Sequence, residues 1–109
     1  MRVGTIYYGG DASAIDIEDR ALAHLKVVIA TKLRRRESFF FSWRDTQKVG
    51  DGRSSIWLDP GIPLYFKYSG GRVPTINREW LAELTTSSNS SSGLVLTDEP
   101  GLDNSVKRR

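Results

Sequence analysis

Nine side chains in this sequence are of the types that hold a nucleic-acid strand. Lys32, Arg34, Arg35 and Arg36 form a basic run, while Arg44 and Lys67 accompany three aromatic residues, Phe40, Trp57 and Tyr65. Cationic side chains bind phosphate, and each phosphate they neutralise adds salt-dependent affinity. Aromatic rings give unpaired bases a surface to stack on. Each group also has a plainer reading. The basic run ends a helical pattern, where cations satisfy terminal carbonyls and the helix dipole. The aromatic side chains are equally suited to burial under a helix, a hairpin or a second copy of the chain.

The segment from Asp45 to Arg53 offers a weaker phosphate site. Lys48 and Arg53 would supply charge, and Gly50 and Gly52 would bring backbone N–H groups close to an anion. Asp51-Gly52 is equally the chemistry of an ordinary chain reversal between strands. Catalytic chemistry finds little support. Cysteine is absent and His24 is the single histidine, which removes thiolate chemistry, the common zinc sets and the usual general base. His24 lies beside an apolar helical stripe and reads as a partly exposed flank residue. Asp16, Glu18 and Asp19 read as helix cap and first-turn acids. No spacing matches an EF-hand, a P-loop or a nucleophile elbow. The expectation is therefore no catalytic residue, no metal site and no cofactor.

The elements that must position these residues follow from periodicity. Residues 2–8 and 12–16 read as a hairpin around Gly9-Gly10-Asp11. A helix capped by Asp16 runs to about Arg35, with Ala21, Leu22, Leu25, Val28, Ile29 and Leu33 forming its apolar stripe. Three short strands follow as a meander, Ser38–Arg44, Ser55–Asp59 and Ile62–Tyr68. Alternation places Phe39, Phe41, Trp43, Ile56, Leu58, Ile62, Leu64, Phe66 and Tyr68 on the core face. The same alternation places Phe40, Arg44, Trp57, Tyr65 and Lys67 on the second face. A helix over 76–86, capped by Thr75 or Asn77, buries Ile76, Trp80, Leu81 and Leu84. Residues 85–93 read as a flexible polar connection, and Leu94-Val95-Leu96 as a last short strand. The order is ββαβββαβ, an α+β fold with a mostly antiparallel sheet and two helices packed on it.

With 109 residues, the chain is expected to be one domain over 1–97, followed by a disordered polar and basic tail, 98–109. Charge is uneven: residues 20–36 carry +6 and residues 1–19 carry −3. No apolar run approaches the roughly 20 residues that span a bilayer, and the N-terminus does not read as a signal peptide. A cytoplasmic protein without a membrane partner is expected.

Three segments together resemble a known family. They are Leu22–Trp43, Gly50–Leu64 with its Trp57-Leu-Asp-Pro-Gly61, and Ile76-Asn-Arg-Glu-Trp-Leu81 ahead of the serine-rich stretch. The order resembles small actinobacterial proteins of unknown function, often labelled in genomes as ATP-dependent DNA ligase. The resemblance implies no set of catalytic residues. Ligases of that kind form lysine–AMP through Lys-x-Asp-Gly, whereas Lys48-Val-Gly-Asp51-Gly52 has one residue too many, and 109 residues are too few for a nucleotidyltransferase domain. The expected function is a small accessory domain that binds DNA or RNA without sequence preference. The alternative is a protein-interaction or homo-oligomeric module that uses the same aromatic face.

Overall fold

The computed structural model describes residues 2–9, 13–45 and 52–101. The elements are β1 (Val3–Tyr8), β2 (Ser13–Glu18), α1 (Asp19–Arg34), β3 (Phe39–Arg44), β4 (Arg53–Leu58), β5 (Leu64–Lys67), α2 (Arg78–Ser88) and β6 (Leu94–Val95). The α+β class and the ββαβββαβ order agree with the sequence reading.

The strands form two three-stranded sheets, β2-β1-β5 and β4-β3-β6, instead of one. The expected meander is therefore divided: β5 leaves β4 and pairs antiparallel with β1, from Tyr8↔Leu64 to Thr5↔Lys67. The connection explains why. Residues 59–63 contain Pro60 and Pro63, which lack the N–H donors a tight hairpin needs. Pro63 instead offers its carbonyl to the N–H of Gly9 at 3.0 Å, which starts the pairing with β1. Ile62, expected in the core, lies in this connection and is exposed. In the second sheet β6 pairs parallel with the central strand, Phe41↔Leu94 and Ser42↔Val95. Gly93 enters β6 at φ +82°, and a Cβ there would stand 2.6 Å from the Phe40 carbonyl oxygen. Only glycine permits that approach.

One clasp joins the sheets. The Tyr8 hydroxyl donates to the Trp57 carbonyl (2.6 Å) and accepts from the Asp59 N–H (3.1 Å). The core lies between the sheets and the helices and contains Ile6, Ile15, Ile17, Leu22, Leu25, Val28, Ile29, Phe39, Phe41, Leu58, Leu84 and Leu94.

The start of α1 differs from expectation. Asp16 lies within β2, accepting a hydrogen bond from Thr5 Oγ1 (3.1 Å), and the cap position is Glu18, whose side chain makes no cap bond. Asp16-Ile-Glu18 continues a period of two, and strand pairing with β1 outweighs capping. Asp19 opens the helix and is buried. Its carboxylate accepts from the N–H groups of Ser69 (2.9 Å) and Gly70 (2.8 Å), and these bonds hold its pKa below the ordinary value against the effect of desolvation.

The end of α1 is a Schellman turn. Glu37 N–H reaches the Lys32 carbonyl and Arg36 N–H the Leu33 carbonyl. The left-handed position is taken by Arg36, at φ 64°, where glycine is the usual residue. An L-residue there costs on the order of 1 kcal/mol. Arg36→Gly is expected to stabilise the fold by about 0.5–1 kcal/mol, read as a higher denaturation midpoint at unchanged m-value.

Of the two cap candidates it is Asn77 that caps α2, its Oδ1 accepting from the Glu79 and Trp80 N–H groups; the helix therefore starts at Arg78, two residues later than expected, and Ile76 lies half-buried ahead of it. His24 holds it to α1. The ring is fully buried (0 % exposed), not a partly exposed flank residue. Its Nδ1–H donates to the Arg20 carbonyl and its Nε2 accepts the Asn77 N–H, both at 2.7 Å. These two bonds fix the neutral tautomer and leave neither nitrogen for chemistry. The ring also packs 4.6 Å from Trp80. The serine-rich stretch is ordered into the end of α2 and its turn rather than forming a loose connection. Ser87 Oγ donates to the Gly93 carbonyl (3.1 Å) and accepts from the Val95 N–H (2.7 Å), because short hydroxyls can satisfy nearby backbone groups.

Glu99, which the sequence reading placed in the polar tail, is docked. Arg20 grips it through two 2.7 Å bonds and also donates to the Thr75 carbonyl; Asn77 Nδ2 adds a third bond at 2.8 Å. The Arg20 guanidinium, helped by Asn77, lowers the Glu99 pKa to about 2 despite desolvation. The unfolded chain then binds this proton more readily, so the ion pair stabilises above about pH 5 and is lost as pH falls towards 2. Arg20 is a third exposed, and solvent screening reduces the contribution to about 1–2 kcal/mol at neutral pH. Glu99→Gln should therefore lower stability by about that amount at pH 7 and flatten the acid limb of a pH–stability curve. Residues 102–109 of the expected tail lie outside the described residues.

Candidate nucleic-acid interface

The outer face of the β4-β3-β6 sheet is built by register. β3 and β4 pair Phe40↔Trp57, Ser42↔Ser55 and Arg44↔Arg53, and a period of two directs these six side chains to one side. Their core-facing neighbours are Phe39, Phe41 and Leu58, all buried, with Trp43 and Ile56 half-buried against them. The outer face is thus three rungs: an aromatic pair, a hydroxyl pair and an arginine pair.

Phe40 and Trp57 meet edge to face with ring centroids 4.9 Å apart, yet each remains about half exposed, 49 % and 50 %. Ser42 and Ser55 share a hydrogen bond of 2.7 Å. Arg44 and Arg53 lie at directly opposed positions, where Cβ atoms are about 5 Å apart and like charges destabilise. Among the described residues neither arginine is in an ion pair. Asp45, next along the chain, gives its carboxylate to Ser54 Oγ on the opposite face (2.9 and 3.0 Å). Two exposed arginines thus occupy directly opposed positions, with no carboxylate of the described residues within ion-pair distance of either.

The structure unites some of the residues singled out in the sequence and separates others. Arg53 was read as part of a phosphate loop; it belongs to this sheet face, opposite Arg44. Of the other loop residues, Gly52 is exposed beside Arg53, and Lys48 and Gly50 lie outside the described residues. Tyr65 and Lys67 project from β5, so they belong to the other sheet. There Tyr65 stacks on its cross-strand partner Tyr7 at 5.6 Å and is 58 % exposed. They do not share the β3–β4 face, because β5 pairs with β1.

The basic run divides as well. Lys32 is buried at 8 % exposure. Its Nζ is 2.7 Å from Glu37 Oε1 and donates to Asn89 Oδ1 (2.9 Å), and it lies over the Phe39 ring. This cation is engaged within the fold, and its hydrogen bond holds the Glu37 pKa below the ordinary value. Arg35 makes a 3.3 Å contact with the same carboxylate while remaining largely exposed. Arg34 and Arg36 are exposed. Arg36 is four residues from Phe40, within about 14 Å along the chain, so the basic helix end adjoins the aromatic rung.

Sequence reasoning missed Ser42 and Ser55. They lie midway between flagged residues on alternating strands, and only the register shows that they form a rung. Among the described residues no group of His, Cys, Asp and Glu is placed to hold a metal ion, and no helix is long and apolar enough to cross a membrane.

A family model described as a domain of unknown function, DUF7882, matches residues 3–99. Neither the curated proteins nor the solved structures contain a match.

Proposed function

The chain belongs to the DUF7882 family of unknown function, and we propose that it binds single-stranded nucleic acid, without strong sequence preference, along the outer face of β3 and β4. The observation that carries this reading is the in-register pair Arg44↔Arg53, exposed and free of carboxylate partners among the described residues. Such a pair is unfavourable by itself and favourable with a phosphate between its members. Phe40 and Trp57 are the stacking platform one end of the face supplies, and Arg34, Arg35 and Arg36 extend the positive charge beyond it. From Phe40 to Arg44 the strand covers about 14 Å, room for two or three nucleotides. The neutral, aromatic middle of this surface contributes stacking that every base can use, so little sequence discrimination is expected.

The test is fluorescence anisotropy of a labelled single-stranded 12-mer against the full chain over a salt series. Four phosphates neutralised would reduce affinity about 50-fold between 50 and 200 mM salt. No binding at the lower salt, or binding indifferent to salt, would overturn the reading. In that event the aromatic rung becomes a protein interface, and Trp57→Ala should abolish self-association seen by light scattering.

A further inference from the structure

The groove beside the arginine rung is lined by more than cations. Ser42, Ser55, Arg44 and Arg53 form one wall, and Asp98 and Ser92 come from the segments flanking β6. Asp98 is exposed, and among the described residues it forms no ion pair. A carboxylate at the edge of a phosphate site repels a phosphate; what it accepts is a neutral donor. The linked hydroxyls of Ser42 and Ser55, 2.7 Å apart, can each still accept or donate once more. The groove therefore asks for an anion and, within a few ångströms of it, a group that is both donor and acceptor.

Resting on the strand-binding reading above, we propose that the strand is RNA, its ribose 2′-hydroxyl donating to Asp98 and accepting from the free O–H of the Ser42–Ser55 pair while the adjoining phosphate lies on Arg44 and Arg53. Ribose places such a hydroxyl next to every phosphate, and deoxyribose has none. A deoxy strand would meet the same arginines with Asp98 left facing phosphate alone.

Uracil 12-mers with three sugars isolate this term, since the bases are identical: ribo, deoxyribo and 2′-O-methyl, each 5′-labelled and titrated by anisotropy at one salt concentration. The ribo strand should bind about tenfold more tightly than the deoxy strand, the effect of one or two net hydrogen bonds. The 2′-O-methyl strand, which cannot donate, should fall near the deoxy strand. Asp98→Ala should cut the ribo-to-deoxy ratio to about threefold, the share left to the serine pair, without weakening the deoxy strand, because the change removes a negative charge. Asp98→Asn, which keeps an acceptor, should retain part of the preference and serves in its place if the alanine variant melts early. Equal affinity for ribo and deoxy strands would overturn the ribose assignment and leave strand binding standing. A full preference in Asp98→Ala would overturn the role of Asp98. Absence of binding by all three strands would overturn the underlying reading and this inference with it.

Discussion

Arg44→Glu should make the protein more stable and a much poorer binder of single-stranded nucleic acid. The register places position 44 directly opposite Arg53, so the substitution turns a like-charge cross-strand pair into an opposite-charge pair. Such exchanges contribute roughly 0.2–1 kcal/mol, measurable as a raised melting temperature. Binding moves the other way. One phosphate ligand is lost and its neighbour Arg53 is drawn to the new carboxylate, so both members of the rung are withdrawn. Hydrogen bonds to charged groups contribute about 1.5–3 kcal/mol each, and the expected loss is on the order of 100-fold or more at moderate salt. The double variant Arg44→Glu with Arg53→Glu restores like-charge repulsion and should return stability to near the starting value while binding stays abolished. Opposite movement of stability and affinity is what a site held in an unfavourable arrangement produces. Unchanged affinity in the single variant would mean the arginine rung is not where phosphate rests.

The second large effect tests which way β3 faces, using two adjacent phenylalanines. Phe41 is 1 % exposed, stacked 5.2 Å from Trp43 and central in its sheet, paired with Ile56 on one side and Leu94 on the other. Phe41→Ala should cost about 3–5 kcal/mol, transfer and cavity terms together. Domains of this size have roughly 5–15 kcal/mol in total, so the melting temperature should fall by more than about 10 °C. Phe40→Ala, one residue earlier, trims a side chain that is already half exposed and gives up its edge contact with Trp57, and should cost about 1 kcal/mol. It should nevertheless weaken strand binding roughly tenfold through lost stacking. A thermal melt and an anisotropy titration on both variants would show the effects crossing over. If Phe40→Ala were the more destabilising, the assignment of inner and outer faces would be inverted.

What could be read from the chain divides along the line between local and distant interactions. Helix α1 shows in its stripe, and the cap of α2 shows in Asn77, because both depend on residues within one turn. The faces of β3 were legible from parity alone: Phe39 and Phe41 inward, Phe40 and Arg44 outward. The partner of β5 was not. Its choice of β1 rests on a Pro63 carbonyl meeting Gly9, more than 50 residues away in sequence, and nothing local encodes such a meeting. The division of the proposed face follows from the same event, since Tyr65 and Lys67 went with β5. Two errors had signals that could have prevented them. Ile15-Asp16-Ile17-Glu18 alternates and so continues the strand past the supposed cap. Lys32 stands four residues after Val28, inside the apolar stripe, where a lysine is buried only with a partner; Glu37 supplies it. His24 had no comparable signal, because its burial depends on an Asn77 N–H delivered by another helix.

The pairing of β5 with β1 and of β6 with β3 also governs how the molecule can be made. Each sheet contains a strand from the far side of the chain, so neither is complete when its first two strands exist. During synthesis the β1–β2 hairpin and α1 emerge with an open edge along β1, which waits for Leu64–Lys67. The β3–β4 hairpin in turn waits for Leu94–Val95. Contacts so far apart in sequence slow folding, since the loop must close before they are gained. The order of closure is interleaved: the first sheet completes while the second is still lacking its last strand. A ribosome would therefore hold the β1 edge open until Lys67 has left the exit tunnel and the β3 edge open until Val95 has, and neither sheet is contained in one half of the chain.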